Sequence, residues 1–522
     1  MPKAVFTDFS GGLTDLEKNA REDQFYVGIG VDIYSKPGYV LPSQATANIS
    51  ISGLGGLIRE IIRDGVEAFL AADDGKLRHI SNTINDTINA DVDGAANNFV
   101  TVANMQPNMK GITYAIKSTI SGTPSAVGLW GLLFYQGLAN TPLLARIPLG
   151  QINPYVAANG YNSDFGSKIS ASFQPSSSID ICKWDIYLWA TNGRYIARYD
   201  GNGSGNWGTF TSAFFDLGLG WQATCVFPHP SNYLGIVARA GSSLNNFGIP
   251  RSCKVVIIDG SSTTRAVKEF TLKGIYNVLG VEVIDGTIYC IAENGERERV
   301  LGEITDSGFR EIMPLKQEVS GTMSYLAGGD RRTMETFQNR LFFGLSDQTV
   351  ETTLQDYVMS YGQDATLNKS ALTIPISGGG TNSTKYIGAI RGMRNKLYFS
   401  RRDGSSYYLD KLDYTGTTYG TATLKFPYKD FGQKVRVNYV KVYYKPLVSG
   451  DSLTLGIDKD YGTAVTLGAG SGNVSYGNDP GTTSKRFDTK QFCHSFRPTV
   501  SWVSGGTPIS KIIVDYDFVE DL

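Results

Sequence analysis

Residues 185–200 read DIYLWATNGRYIARYD. Two runs of alternating apolar and polar residues flank Asn192-Gly193. Asn-Gly between such runs is the strongest short-range hairpin signal, because a type I′ turn needs positive φ at both central positions, which Gly takes freely and Asn tolerates. The stretch therefore reads as two antiparallel strands, 186–190 and 194–199.

The same unit returns along the chain. TIYCIAENGERERV (287–300) turns at Asn294-Gly295, NRLFFGLSDQ (339–348) at Ser346-Asp347, and NKLYFSRRDGSSYYLDKLD (395–413) at Asp403-Gly404. Upstream, VEAFLAADDGKLRHI (66–80) turns at Asp74-Gly75, GLLFYQGLANTPLLARI (131–147) turns around 137–140, and NYLGIVARAGSS (232–243) is a looser case. Aligning Leu133, Ile186, Leu234, Ile288, Leu341 and Leu397 gives steps of 53, 48, 54, 53 and 56 residues, with Ala68 a further 65 upstream. Propeller blades repeat roughly every 40–50 residues, and a single blade buries its faces only against its neighbours. The expectation is an all-β chain carrying a β-propeller of about seven irregular blades.

Composition agrees with many short strands and tight turns: 60 Gly, 29 Tyr and 25 Phe in 522 residues, with 19% charged. The segment LIREIIRDGVEAFL (57–70) reads as strand or short helix, interrupted by Gly65. A net charge of −1 gives no footprint for wrapping duplex DNA, though it leaves room for a local basic patch; Arg331-Arg332 and Arg401-Arg402 are candidates, read as solvated turn residues. Five scattered cysteines, without CxxC, argue against a disulfide framework or a zinc site, and Cys290 reads as a small buried hydrophobe. No secretory signal and no run of about 18 apolar residues is visible, so no membrane span is expected.

Three regions follow. Residues 1–50 are polar and turn-rich and read as an extended segment that closes the propeller or docks on a neighbour. Residues 51–430 carry the repeats. From 431 the pattern changes: VRVNYVKVYYKPL (435–447) alternates, with Val435, Val437, Tyr439, Lys441 and Tyr443 placed on one face, and SFRPTVSWVS and ISKIIVDYDFV add two strands. Residues 431–522 are expected to form a small jelly-roll-like β-sandwich.

No catalytic constellation emerges, and the chain is read as a non-enzyme. His79, His229 and His494 fall in unrelated segments. The P-loop, HExxH and GxSxG patterns are missing from the sequence, and GIGVDI (28–33) and LGLGWQA (217–223) lack the strand–turn–helix setting that dinucleotide binding requires. DGNGSGNWGTF (200–210) opens like a calcium loop but has Gly208 and Thr211 where the later oxygen ligands belong, and ADVDGAANN (90–98) reads as a turn. Asp410 and Asp413, at i and i+3 on a strand, face opposite sides and read as solvated. No cofactor and no metal ion is expected. The one candidate binding feature is aromatic: Trp184, Trp189, Trp207 and Trp221 could form an exposed platform for sugar or protein, against core packing between blades.

FSGGL at 9–13, then DIYSKPGYV at 32–40, ahead of irregular blades and a C-terminal β module, resembles the propeller-bearing tail nozzle and tail-hub proteins of short-tailed bacteriophages. The resemblance implies a virion structural protein made in the host cytoplasm. It implies a homo-oligomer, a sixfold ring, that sits below an adaptor, meets tail fibres, and lines the DNA exit channel with transient contact to DNA. The alternative is a carbohydrate- or receptor-binding module of a virion that uses exposed aromatics.

Overall fold

The opening hairpin forms, with a different turn. In the computed structural model, strands Tyr187–Asn192 and Tyr195–Asp200 pair antiparallel, with Asn192 opposite Tyr195. Of the two loop residues only Gly193 takes positive φ, +62°. Asn192 remains in the strand because its amide is committed elsewhere: Nδ2 donates to the carbonyls of Ser172 and Ser212, both at 2.9 Å, and Oδ1 accepts from the Gln174 backbone N–H at 2.6 Å. The type I′ expectation at Asn192-Gly193 is thereby corrected. Paired positive φ values occur instead at Asp285-Gly286 and at Gln338-Asn339, each joining the first and second strands of a sheet.

The structure describes residues 2–14, 16–64, 67–74, 76–82, 87–89, 110–118, 126–136, 142–148, 165–174, 179–201, 208–241, 252–296, 298–319, 322–325, 333–346, 356–364, 369–377, 385–465, 467 and 472–519. Within them the chain is all-β apart from the short helix Phe165–Lys168. Five separate four-stranded antiparallel sheets cover 58–89, 181–216, 221–272, 275–314 and 385–413, the last completed by Thr46–Ile49. A three-stranded sheet covers 110–148. The four strands of 334–377 are continuous with a larger sheet.

The sheets follow one another around an axis. Strand Ile58–Asp64 lies against Lys110–Ser118, which lies against Ile181–Trp184; Trp221–His229, Ile275–Ile284, Met334–Phe337 and Lys385–Met393 continue the circuit back to Ile58–Asp64. This is a β-propeller arrangement. The expectation of about seven irregular blades is corrected to five complete, separate ones. The 110–148 sheet has three strands among the described residues, and the 334–377 sheet gives its outer edge to Val27–Ile29. Each aligned anchor residue falls on the second strand of its sheet, Ile186 one residue before it. The segment 57–70, left open between strand and helix, folds as strand Ile58–Asp64 and the start of Glu67–Ala72.

The C-terminal strands, expected as a separate small sandwich over 431–522, do not stand alone. Lys3–Thr7, Ile509–Phe518, Lys429–Tyr444 and Ser484–Ser504 lie side by side. Ser484–Ser504 then changes partners, running between Ser452–Lys459 and Ala422–Lys425. Ala422–Lys425 hands the sheet on through Val27–Ile29 to the 334–377 strands, thirteen strands in all. The reason lies in what covers the apolar face. Val435, Val437, Val440 and Val442 share one core with Phe6, Phe9 and Leu13 from the N-terminal segment and with Met334, Leu341 and Phe343 from the propeller.

A bulge at Asn438 splits the strand that the sequence placed on a single face. Val435 and Val437 point into the core; beyond the bulge it is Val440 and Val442 that do so. Tyr439, Lys441 and Tyr443 therefore face outward, away from Val435 and Val437. One extra residue exchanges the two faces of every residue that follows.

Candidate functional site: the axial cavity

The first strands of the propeller sheets carry charged residues where a core would carry apolar ones. Glu60 stands in Ile58–Asp64, Glu335 in Met334–Phe337 and Arg391 in Lys385–Met393. Alternation points these side chains toward the axis while their neighbours Ile61, Ile390 and Met334 are buried.

Arg391 joins them. Its Nη2 donates to Glu60 Oε1 at 2.6 Å, its Nη1 to Glu335 Oε2 at 2.8 Å, and its Nε to the Ile61 carbonyl at 3.0 Å. Glu335 Oε1 also accepts from the Gly392 N–H at 3.3 Å, and Arg63 donates to the Gly392 carbonyl at 2.8 Å. Burial works against the Arg391 charge, but the Glu335 and Glu60 carboxylates outweigh it and raise its pKa above the ordinary arginine value. Glu60 and Glu335 are almost fully covered, at 1% and 6% side-chain exposure, so the pairs are shielded from salt.

Arg391 also forms part of the wall of a cavity of about 550 Å³ on the axis, together with Asp180, Lys183, His229, Glu282 and backbone at Gly111. Asp180, just ahead of Ile181–Trp184, accepts the Val226 N–H on Oδ2 at 2.9 Å and so ties two neighbouring sheets together. His229 also borders a second cleft, about 280 Å³, with Ser231, Thr287, Glu303 and Asp306. Burial lowers the pKa of its imidazole, while Asp306 opposes the shift. Its Nδ1 accepts the Ser231 N–H at 3.2 Å.

The chemistry these groups can do is limited. Glu335 and Asp180 are occupied by hydrogen-bond donors, and Glu60 takes Arg391 on Oε1 alone. In the second cleft Glu303 is held by Arg310, and Asp306 is 3.7 Å from Lys268. All five cysteines are buried and none is in a disulfide. Burial, then the neighbouring Cys225, pushes the Cys253 thiol up to about 12, which keeps it from serving as a thiolate nucleophile. Among the described residues no group of three His, Cys, Asp or Glu side chains could hold a metal ion.

Of the expected aromatic platform, Trp189 belongs to the core. Trp189 is fully buried, and its Nε1 donates to the Trp184 carbonyl at 3.2 Å. Trp184 lies 5.8 Å from it, ring centre to ring centre, and Phe214 packs edge-on at 5.1 Å. Trp184 and Trp221 are half-buried against the same cluster. Trp207 lies outside the described residues, as do Arg331-Arg332, 90–98 and most of 200–210. A middle strand of a blade is covered on both faces, so the Trp189 position belongs to the core. Trp189→Ala should therefore cost about 3–5 kcal/mol of stability; the shift of the urea midpoint measures it, and a change below about 1 kcal/mol would contradict the packing.

Asp410 is buried, taking Asn48 Nδ2 at 3.0 Å and the Arg401 guanidinium, which corrects the solvated reading of both Asp410 and Arg401. Asp413 instead caps the Thr415 N–H at 3.0 Å. His79 stacks on Phe69 and reaches Glu67 at 3.2 Å. The axial trio was missed because its members stand 275 and 56 residues apart; the charge at Glu60 inside an apolar run was the available signal.

No family model and no curated protein matches the chain. Among solved structures, the computationally designed Ika8 protein aligns at 11% identity over 72% of this chain and 96% of its own, with a TM-score of 0.32. An exo-β-1,3-galactanase from Phanerochaete chrysosporium aligns at 10% identity over 65% and 96%, TM-score 0.28. A putative 6-phosphogluconolactonase from Bacteroides uniformis aligns at 9% identity over 68% and 96%, TM-score 0.39. The propeller assignment rests on the sheets of this chain and the circuit they make.

Proposed function

We propose that this chain is a structural ring subunit of a bacteriophage tail, of the nozzle or hub kind, contributing to the DNA exit channel and to the docking of adaptor and fibre proteins. The observation that carries the reading is the use of charge on the axis. Glu60, Glu335, Arg391 and Arg63 are spent on one another and on backbone, across strands from three sheets. Such an arrangement rigidifies a frame. The segments that carry the resemblance are part of that frame. Phe9 is fully buried in the shared core, and Asp32 accepts the Tyr34 and Ser35 N–H groups at 2.7 and 3.1 Å, fixing the turn of 32–40.

In this reading the thirteen-stranded sheet is the rigid block, and edges of the propeller sheets meet neighbouring subunits in a sixfold ring within the virion. The carbohydrate-binding alternative loses one of its four tryptophans with Trp189 in the core. Immunogold electron microscopy of particles in a lysate of the source, with negative-stain imaging of the purified chain, tests the proposal. Gold at the distal tail, and rings formed alone or with neighbouring tail proteins, are the expected results. Gold over capsids would move the chain to the decoration or glycan-binding class. No labelled particle would end the virion reading.

A further inference from the structure

The outward face of the C-terminal sheet is basic and aromatic in a chain whose net charge is −1. Cross-strand pairing fixes which residues share it. Thr7, Lys511, Tyr443 and Ser484 form one row; Val5, Ile513, Lys441 and Arg486 the next; Lys3, Asp515, Tyr439 and Asp488 the third; Asp517, Arg436 and Phe492 the fourth. Lys434 leans over Phe492, 5.4 Å from its ring centre. Of the three carboxylates, Asp515 is buried and takes Asn438 Nδ2 at 3.0 Å, Asp517 is matched to Arg436 at 3.1 Å, and Asp488 to Arg486 at 2.7 Å. Lys3, Lys434, Lys441 and Lys511 have no carboxylate partner among the described residues.

The aromatic rings alternate with these cations. Arg486 lies 3.9 Å from the centre of the Tyr439 ring, and Lys441 4.5 Å from that of Tyr443. Phe492 is 48% exposed, a large apolar ring held at the surface. Neighbouring strands are about 4.8 Å apart and successive outward residues about 6.8 Å, so the cations form a closely spaced grid.

We propose that this face binds single-stranded nucleic acid. An array of cations answers a phosphate backbone, and aromatic rings among them offer stacking surfaces for unpaired bases. A duplex hides its base faces and would leave the rings unused; an acidic polypeptide matches the cations but has no bases to stack. A second copy of the chain would bring like charge against like. The inference stands apart from the tail reading. A surface that grips phosphates is unsuited to a channel through which DNA must slide, so in a ring this face would lie away from the lumen.

Fluorescence anisotropy with the full chain tests it, using a labelled single strand of about 16 nucleotides, the matching duplex, and polyglutamate as competitor. The single strand should bind more tightly than the duplex, resist polyglutamate, and weaken as salt rises. The variant Lys441→Glu/Lys511→Glu/Arg486→Glu should lose at least about tenfold in affinity at low salt and about two from the log–log salt slope. Phe492→Ala should lose about fivefold with the slope unchanged, because stacking is not a counterion effect. Equal or tighter binding of duplex, displacement of the strand by polyglutamate, or unaltered binding by the triple variant would each overturn the inference. Ring formation by that variant separates the two proposals, since the tail reading survives the loss of nucleic-acid binding.

Discussion

Arg391→Met lowers the stability of the folded chain by about 3–5 kcal/mol, the cost of leaving buried carboxylates without their cation. Two carboxylates lose it at once, Glu60 and Glu335. Glu60 has no reserve, because its Oε2 already lacks a hydrogen-bond partner. Glu335 keeps the Gly392 N–H at 3.3 Å and Arg63 at 3.5 Å, both longer than the bond it loses. The methionine stem replaces most of the volume, so the loss reads electrostatics rather than a void. Urea unfolding followed by tryptophan fluorescence supplies the number. Adding Glu60→Gln and Glu335→Gln to Arg391→Met should recover most of it, since the buried charges then disappear with their partner. A triple variant as unstable as the single one would mean that Arg391 acts through its packing.

How much of this was readable in advance depends on the range of each interaction. The second strand of each propeller sheet was legible because its signal is local: an aliphatic residue, an aromatic and a turn within a few positions, as in Leu397-Tyr398 ahead of Asp403-Gly404. The turn type at Asn192-Gly193 was not, because Asn192 is claimed by Ser172, Gln174 and Ser212, some twenty residues away on either side. The facing of Tyr439, Lys441 and Tyr443 was lost to one bulge at Asn438, which periodicity cannot register. Burial of Trp189 depended on knowing that both faces of its strand are covered. The axial ion pairs and the thirteen-stranded sheet were beyond reach for one shared reason. They join Glu60 to Arg391 and Lys3 to Asp515, and pairings across hundreds of residues leave no trace in a local pattern.

The longest of those pairings makes the strongest prediction. Removing residues 1–13 should unfold the C-terminal sheet while the separate propeller sheets persist. The deletion takes Ala4, Phe6, Phe9 and Leu13, all at most 5% exposed, out of the shared core. Phe6 and Phe9 pack on Phe426 with ring centres 4.7 and 5.9 Å apart, so two large rings leave one neighbour. At about 3–5 kcal/mol for each Phe and about 2–5 for Leu13, the loss is about 8–15 kcal/mol, as large as the whole stability of an ordinary domain. It also bares one edge of Ile509–Phe518 over Lys511–Asp515, five residues next to apolar side chains that lose their partner on that side, which invites strand-to-strand association. The propeller should survive, because its closing strand Thr46–Ile49 still completes the 385–413 sheet. Calorimetry of the truncated chain should therefore show one transition retained and one lost, with protease cutting confined to the strands after Lys429. Phe6→Ala alone should show the same order of events on a smaller scale, a C-terminal transition lowered by about 3–5 kcal/mol with the propeller transition unmoved. If the truncated chain melts as the intact one does, the N-terminal strand is an attachment rather than a structural member of the core. If both transitions vanish together, the propeller and the C-terminal sheet fold as one unit through the 334–377 strands that they share.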